Sequence, residues 1–151
     1  MTAHQKMVAR PAIKQMVIGV AASGKTRYLC RYLAHHSAEY SHIHAVIKVD
    51  EATRYDTLRQ AYRHITLHVS AVTVPVNLDR TVLVLIDNEC TDDLDRLIEA
   101  PCSTIFTAHS YLCIPRCVQT RISSFVVCGR MGSDTRRSIT RDNPSAFFIT
   151  P

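Results

Sequence analysis

The sequence predicts an α/β fold with a mainly parallel sheet, in a chain of 151 residues. Two observations predict it. Short apolar segments of strand length alternate with segments of helical periodicity along the chain. Several of the apolar segments are nearly continuous, which is typical of parallel strands that are covered on both faces. The length suits a single domain with a sizeable core, so we expect residues 1–151 to form one domain.

The first half of the chain is expected to contribute three strands and two helices. Strands are predicted at about 13–18, 41–49 and 65–69, where apolar residues are concentrated. Helices are predicted at about 25–38 and 50–63. Residues 1–11 form a polar lead-in without the apolar stretch of a secretory signal.

The second half begins with the most apolar strand of the chain, at 81–86. A helix is predicted at 91–100, where Thr91 is a suitable N-cap and Pro101 ends the helix. Further strands are predicted at 103–107, 124–128 and, as a last edge strand, 146–149. Residues 114–119 are predicted to form a loop or helical turn, and residues 132–137 a polar turn.

A phosphate-binding loop is predicted between the first strand and the first helix. Residues 19–26 read Gly-Val-Ala-Ala-Ser-Gly-Lys-Thr, which is the pattern Gly-x-x-x-x-Gly-Lys-Thr in its required context. The backbone N–H groups of the loop are expected to surround a nucleotide phosphate, beside the helix N-terminus. The loop positions are Gly19, Val20, Ala21, Ala22, Ser23 and Gly24. Lys25 is expected to reach the β- and γ-phosphates, and Thr26 to offer its hydroxyl to Mg²⁺.

Three polar positions after the later strands are candidates for the rest of the site. Asp87 follows the strand at 81–86, which is expected to lie beside the first strand, and would hold Mg²⁺. Hydrolysis needs a group that orients or deprotonates water, and the candidates are Glu89, which we favour, and Asn88. His109 follows the strand at 103–107 and is expected to lie between the loop and Asp87, where it would sense the γ-phosphate or hold the water.

The charge is concentrated towards the C-terminus. The formal net charge is +5, and the segment 129–151 is basic. Its arginines are Arg130, Arg136, Arg137 and Arg141. Such a segment is compatible with a polyanion such as nucleic acid, or with an ordinary solvated surface. No apolar run approaches the length of a membrane span, so we expect a protein that acts inside a cell and away from the membrane.

Three sequence blocks resemble the viral genome-packaging ATPases of the FtsK–HerA group, over roughly residues 13 to 128. They are Gly19–Thr26, Leu83–Glu89, and the stretch from Thr104 to Val127, in which His109 is followed by an aromatic residue, an Ile-Pro turn and a further apolar strand. The third block is the most discriminating. Three positions depart from the family pattern: Asn88 replaces a common acidic residue, His109 stands where Gln is frequent, and Gln119 stands where Arg often follows the turn.

The resemblance implies a P-loop NTPase of three α/β/α layers, similar to the RecA-like ATPases with an additional strand. It implies ATP and Mg²⁺ as cofactors, double-stranded DNA as the substrate that is moved, and a homo-oligomeric ring that works with a capsid or portal protein. Such a protein acts in the host cell or with the virion. A ring of this kind places an arginine of one subunit against the γ-phosphate of the next, and the candidates here are Arg116 and Arg121.

Other interpretations remain open at the level of sequence. A small P-loop nucleoside or nucleotide kinase would use the arginines at 130–141 as a lid and Asp50-Glu51 near its acceptor. A nucleotide-binding subunit with weak or no hydrolysis is suggested by Asn88. A zinc site formed by His109, Cys113 and Cys117, with Cys102 nearby, is disfavoured because Pro115 interrupts the helical spacing.

Overall fold

The computed structural model of the protein describes residues 12–47, 55–56, 60, 64–69, 78–87 and 94–151. Within these residues seven strands form one sheet, and every neighbouring pair is parallel. The strands are β1 (Lys14–Ile18), β2 (His42–Ile47), β3 (Ile65–Val69), β4 (Val82–Asp87), β5 (Ser103–Ala108), β6 (Ser124–Val127) and β7 (Phe147–Ile149). Their order across the sheet is β3-β2-β4-β5-β1-β6-β7. The predicted α/β fold with a parallel sheet is confirmed.

Helices connect these strands. The α-helices are α1 (Lys25–His36), α2 (Leu94–Glu99), α3 (Arg116–Gln119) and α4 (Ser133–Asp142), and 3-10 turns occur at Ser37–Glu39 and Tyr111–Cys113. Of the helix predicted at 50–63, only residues 55–56 and 60 are described. The predicted N-cap Thr91 and the lead-in 1–11 lie outside the described residues.

The helices cover both faces of the sheet. Leu29 and Leu33 of α1 pack with Val17 and Leu85 on one face. The other face is covered by α2, α3 and α4, whose core residues are Leu97, Ile98, Val118 and Ile139. Right-handed connections place helices on opposite faces when the chain moves in opposite directions across the sheet, as it does from β1 to β2 and from β6 to β7. The result is the predicted arrangement of three layers.

Lys14 fixes the start of β1, the strand that carries the phosphate-binding loop. Its ammonium group donates to the carbonyls of Leu97, Ala100 and Cys102, at 2.8, 2.9 and 2.6 Å. Leu97 lies in the last turn of α2, where backbone acceptors lack partners within the helix, and Ala100 and Cys102 lie in the segment that follows it. Burial lowers the pKa of Lys14 below its ordinary value. The side chain thus connects α2 to the strand beneath the loop.

The sequence analysis placed the strand that ends in Asp87 beside β1, and this prediction is wrong. The strand β5 is inserted between β4 and β1, and Ile105 pairs with Leu85 on one side and Gln15 on the other. All six positions of β5 are buried, so this strand is suited to the centre of the sheet. The expectation that His109 follows a strand between the loop and Asp87 agrees with this order.

Residues 132–137 do not form the predicted polar turn, because residues 133–142 form the helix α4. The segment has a single buried aliphatic residue, Ile139, and therefore no apolar stripe that the sequence could reveal. Asp134 in the first turn favours the helix through its dipole. The guanidinium of Arg136 lies 4.1 Å from the centroid of the Phe148 ring on β7, which attaches the helix to the sheet edge.

Candidate nucleotide-binding site

The phosphate-binding loop, Asp87 and His109 meet at the carboxyl ends of the strands. This follows from the parallel order, because the carboxyl ends of β1, β4 and β5 lie on the same side. The Gly19 N–H donates to the carbonyl of Ala108 at 3.1 Å, and the Cys128 N–H donates to the carbonyl of Ile18 at 2.9 Å. The start of the loop is therefore held between the ends of β5 and β6.

The backbone of the loop contains two residues with positive φ angles, Ala22 at 60° and Gly24 at 100°. Left-handed residues of this kind help to turn neighbouring N–H groups towards a bound anion. The loop leads directly into α1, whose first turn has no acidic residue. The positive end of the helix dipole is thus available to an anion.

Gly19 lies where no larger residue fits. A Cβ atom at this position would approach the carbonyl oxygen of Cys128 to 2.7 Å and would collide with Ser23 Oγ. Ser23 Oγ is itself buried and has no hydrogen-bond partner within the described part of the chain. Burial raises the pKa of the Cys128 thiol, with Lys25 acting in the opposite direction. The wall behind the loop is therefore tight and uncharged.

Lys25 lies between the loop and the residue that follows β5. Its Nζ donates to the carbonyl of Gly19 at 2.6 Å and lies 3.3 Å from Nδ1 of His109. His109 is exposed at the end of β5. The structure therefore brings together the two residues that the sequence analysis assigned to the terminal phosphate.

Thr26 and Asp87 come together although they are 61 positions apart. The Thr26 hydroxyl donates to Oδ2 of Asp87 at 2.7 Å, and Asp87 is 5% exposed. Because the hydroxyl proton points to the carboxylate, the lone pairs of Thr26 Oγ1 face away from it. A hydroxyl and a carboxylate oxygen are hard ligands that fit Mg²⁺. Asn88 and Glu89 lie outside the described residues.

The sequence analysis did not identify Tyr55. This side chain is fully buried, and its hydroxyl donates to Oδ2 of Asp87 at 3.0 Å. Tyr55 belongs to the apolar cluster between the sheet and α1. Nothing in the local sequence marks it, because its approach to Asp87 depends on the path of the chain between β2 and β3.

The two arginines proposed as fingers have different surroundings. Arg116 makes two bonds to the carboxylate of Asp142, at 3.0 and 3.2 Å, and this carboxylate is only 3% exposed. The Tyr111 hydroxyl and then Arg116 hold the pKa of Asp142 below its ordinary value. Arg121 instead forms a bridge of 3.1 Å with an exposed partner, Glu99. The nearby Ser123 N–H donates to the carbonyl of Lys14 at 2.8 Å, at the amino end of β1 and therefore at the end of the sheet opposite the loop. Within the described residues, neither arginine forms a hydrogen bond with the loop of its own chain.

A pocket of about 120 Å³ adjoins the loop on the side of α4. Gly19 and Val20 form one side, and Arg130, Met131 and Gly132 form the other. His109 also lines it. This side of the loop has room for part of a ligand that extends beyond the phosphates.

The residues considered for zinc are not assembled into a metal site. Among the described residues, no group of three or more His, Cys, Asp or Glu side chains is arranged to hold a metal ion. Cys113 and Cys117 are exposed, whereas Cys102 is buried in the core. The same part of the chain contains no helix long and apolar enough to cross a bilayer.

Comparison with known proteins gives one informative match. No protein-family model matches the chain, and no curated protein matches it significantly. Among solved structures, the genome packaging NTPase B204 from Sulfolobus turreted icosahedral virus 2, solved in complex with AMP, has a TM-score of 0.50. The match covers 87% of this chain and 82% of that chain, at 12% sequence identity. The chain has the fold of a viral genome-packaging NTPase.

The agreement concerns the fold. The predicted resemblance to viral genome-packaging ATPases is thereby confirmed as a likeness of architecture, and it extends beyond the three sequence blocks that indicated it. At 12% identity, the roles of individual residues in this chain rest on its own geometry.

Proposed function

We propose that the protein is an ATPase that binds MgATP at the loop of residues 19–26 and couples hydrolysis to movement of double-stranded DNA into a viral capsid. The observation that carries the proposal is the 2.7 Å bond between Thr26 and Asp87, with Lys25 beside them. A lysine, a hydroxyl and a carboxylate in this arrangement are what a P-loop NTPase needs around a nucleotide. The likeness of fold to a genome packaging NTPase solved with AMP supports both the ligand and the process.

Binding begins with the exchange of partners at Lys25. Its ammonium group donates to the carbonyl of Gly19 in the structure. Phosphate oxygens are charged acceptors and form stronger bonds with an ammonium group than a carbonyl does. Lys25 would therefore leave Gly19 and bind the β- and γ-phosphates, while the loop N–H groups and the start of α1 hold the phosphate chain.

Thr26 and Asp87 would hold the magnesium ion, which when bound neutralises charge on the phosphate oxygens. Their role is to present oxygen atoms from two different elements at a fixed separation. Thr26 is fixed by the first turn of α1, and Asp87 by the end of β4. Because Asp87 is nearly buried, its carboxylate is held in place by contacts with the protein and not by bulk water.

Water activation is assigned to the residues that follow Asp87. Glu89 would accept the proton of the attacking water, and Asn88 would help to orient that water. His109 lies 3.3 Å from the Lys25 ammonium group, so it would sense the γ-phosphate that Lys25 binds. These roles define the hydrolytic part of the proposal.

A homo-oligomeric ring would complete the site from the neighbouring subunit. We assign the arginine finger to Arg121 in preference to Arg116, because Arg116 is bound twice by a nearly buried carboxylate. The bridge of Arg121 is exposed on both sides and is more easily exchanged for a phosphate. Arg130, Arg137 and Arg141 are exposed and would contact DNA phosphates. A capsid or portal protein would be the further partner in the infected cell.

The test is ATP turnover by the full chain with and without duplex DNA. The proposal predicts hydrolysis that increases on addition of DNA. It also predicts that Glu89→Gln retains ATP affinity but loses turnover by about 100-fold or more. Rapid phosphate transfer to a nucleoside without DNA would instead support a kinase. ATP binding without ATP hydrolysis, with the same ATP affinity in Glu89→Gln as in wild type, would support a non-hydrolysing subunit.

A further inference from the structure

One oxygen of Asp87 receives two hydroxyl groups. Thr26 donates to Oδ2 at 2.7 Å, and Tyr55 donates to the same atom at 3.0 Å. Tyr55 is fully buried and Asp87 is 5% exposed. The bond from Tyr55 is therefore buried and the bond from Thr26 is partly buried, and a hydrogen bond to a charged acceptor is stronger in such surroundings than in bulk water.

These two donors limit how the carboxylate can turn. Each oxygen of an ionised carboxylate offers about two lone-pair positions, and Oδ2 uses them for Thr26 and Tyr55. Rotation of Asp87 would break at least one of these two bonds, and the loss of a hydrogen bond to a charged group carries a substantial cost. The orientation of Asp87 is therefore fixed from two directions, by Thr26 of α1 and by Tyr55.

We propose that Tyr55 is a positioning residue for the magnesium site, an inference that rests on the proposed function. By donating to Oδ2, its hydroxyl keeps Asp87 turned towards Thr26 and keeps this oxygen from ligating the ion directly. Tyr55 does not touch the nucleotide or the ion in this scheme. It acts through Asp87 and sets the geometry with which Thr26 and Asp87 receive Mg²⁺.

The ring and the hydroxyl of Tyr55 have separable roles. The ring fills space in the apolar cluster between the sheet and α1, and a phenylalanine would preserve that packing. The hydroxyl contacts the carboxylate. The variant Tyr55→Phe therefore removes the positioning bond and leaves the core filled.

The test measures ATP affinity of the full chain with a fluorescent ATP analogue, in EDTA and across a Mg²⁺ titration. Tyr55→Phe should bind the analogue in EDTA within about twofold of wild type. Its half-saturating Mg²⁺ concentration should rise about tenfold, as expected for loss of one hydrogen bond to a charged group. Tyr111→Phe is the matched control, since this buried tyrosine also donates to an aspartate, at 2.8 Å from Asp142.

The control should lose thermal stability without a change in Mg²⁺ requirement. A double variant with Asp87→Asn provides a second measure, because the effect of Tyr55→Phe should be much smaller once the carboxylate is absent. Equal weakening in EDTA and in Mg²⁺, or an unchanged Mg²⁺ requirement, would overturn the positioning role. If wild type itself fails to bind the analogue, the proposed function is wrong and this inference falls with it.

Discussion

The loop pattern requires glycine at positions 19 and 24, and in the structure the two glycines are needed for different physical reasons. A Cβ on Gly19 would lie 2.7 Å from the carbonyl oxygen of Cys128 and 3.1 Å from its Cβ, so the backbone would have to shift. A Cβ on Gly24 meets nothing within 4 Å, but φ is +100° there. Gly132 has open space and an ordinary φ of −65°, which makes Gly132→Ala the matched control.

The expected magnitudes separate the three variants. Overpacking against fixed neighbours costs about 1–3 kcal/mol, so Gly19→Ala should lose about 2 kcal/mol. In a chain of this length that corresponds to a fall in Tm of about 4–8 °C. The left-handed conformation alone should cost Gly24→Ala about 1 kcal/mol. Gly132→Ala should cost about 0.5 kcal/mol, since alanine is a poorer N-cap than glycine.

Urea unfolding of the three variants measures these differences, and ATP titration measures their effect on the loop. Gly19→Ala should also weaken ATP binding, because the shift between the loop and Cys128 changes the phosphate cradle. The explanation is refuted if Gly19→Ala unfolds at the same urea concentration as Gly132→Ala. It is also refuted if the Gly19 variant is destabilised but binds ATP as wild type does.

Three further predictions concern strain, pH and the arginines. Ala22 has φ 60°, so Ala22→Gly should stabilise the protein by about 1 kcal/mol in urea unfolding, and a loss of stability would contradict the strain. Burial, with nearby histidines, lowers the pKa of His44 to about 4; its Nδ1 lies 3.1 Å from Nε2 of His68. The unfolded chain therefore binds more protons below pH 6.5, and stability should fall from there towards pH 4. His44→Gln should reduce this slope, and an unchanged slope would contradict the assignment. Arg116→Ala should lower Tm more than Arg121→Ala, whose bridge is exposed on both sides; equal Tm values would contradict this difference.

The sequence was sufficient to predict the elements whose pattern is local. The strands β4 and β5 are buried along their whole length. A run of five apolar residues from Val82 to Ile86 marks β4, and β-branched and aromatic residues around Ile105 and Phe106 mark β5. The phosphate loop is recognisable because glycine and lysine are needed at fixed spacing between a strand and a helix. His109 and Asp87 could be inferred because polar residues that follow parallel strands share one edge.

Other features depend on contacts that the local sequence does not encode. The insertion of β5 beside β1 is a choice among strand orders, and each strand alone is compatible with several. The helix α4 buries a single aliphatic residue, Ile139, so its amphipathic pattern is too weak to read. The contact between Tyr55 and Asp87 joins residues 32 positions apart through a segment without a distinctive motif. Tertiary packing decides all three.

The proposed MgATP site at residues 19–26 is tested most directly by calorimetric titration of ATP into wild type, Lys25→Ala and Arg27→Ala in excess Mg²⁺. Arg27 is an exposed cation two positions further along α1, and its removal changes the charge equally without touching the loop. Wild type and Arg27→Ala should bind one ATP per chain, and Lys25→Ala should bind about 100-fold more weakly. Equal affinities for Lys25→Ala and Arg27→Ala would contradict a phosphate site at this loop.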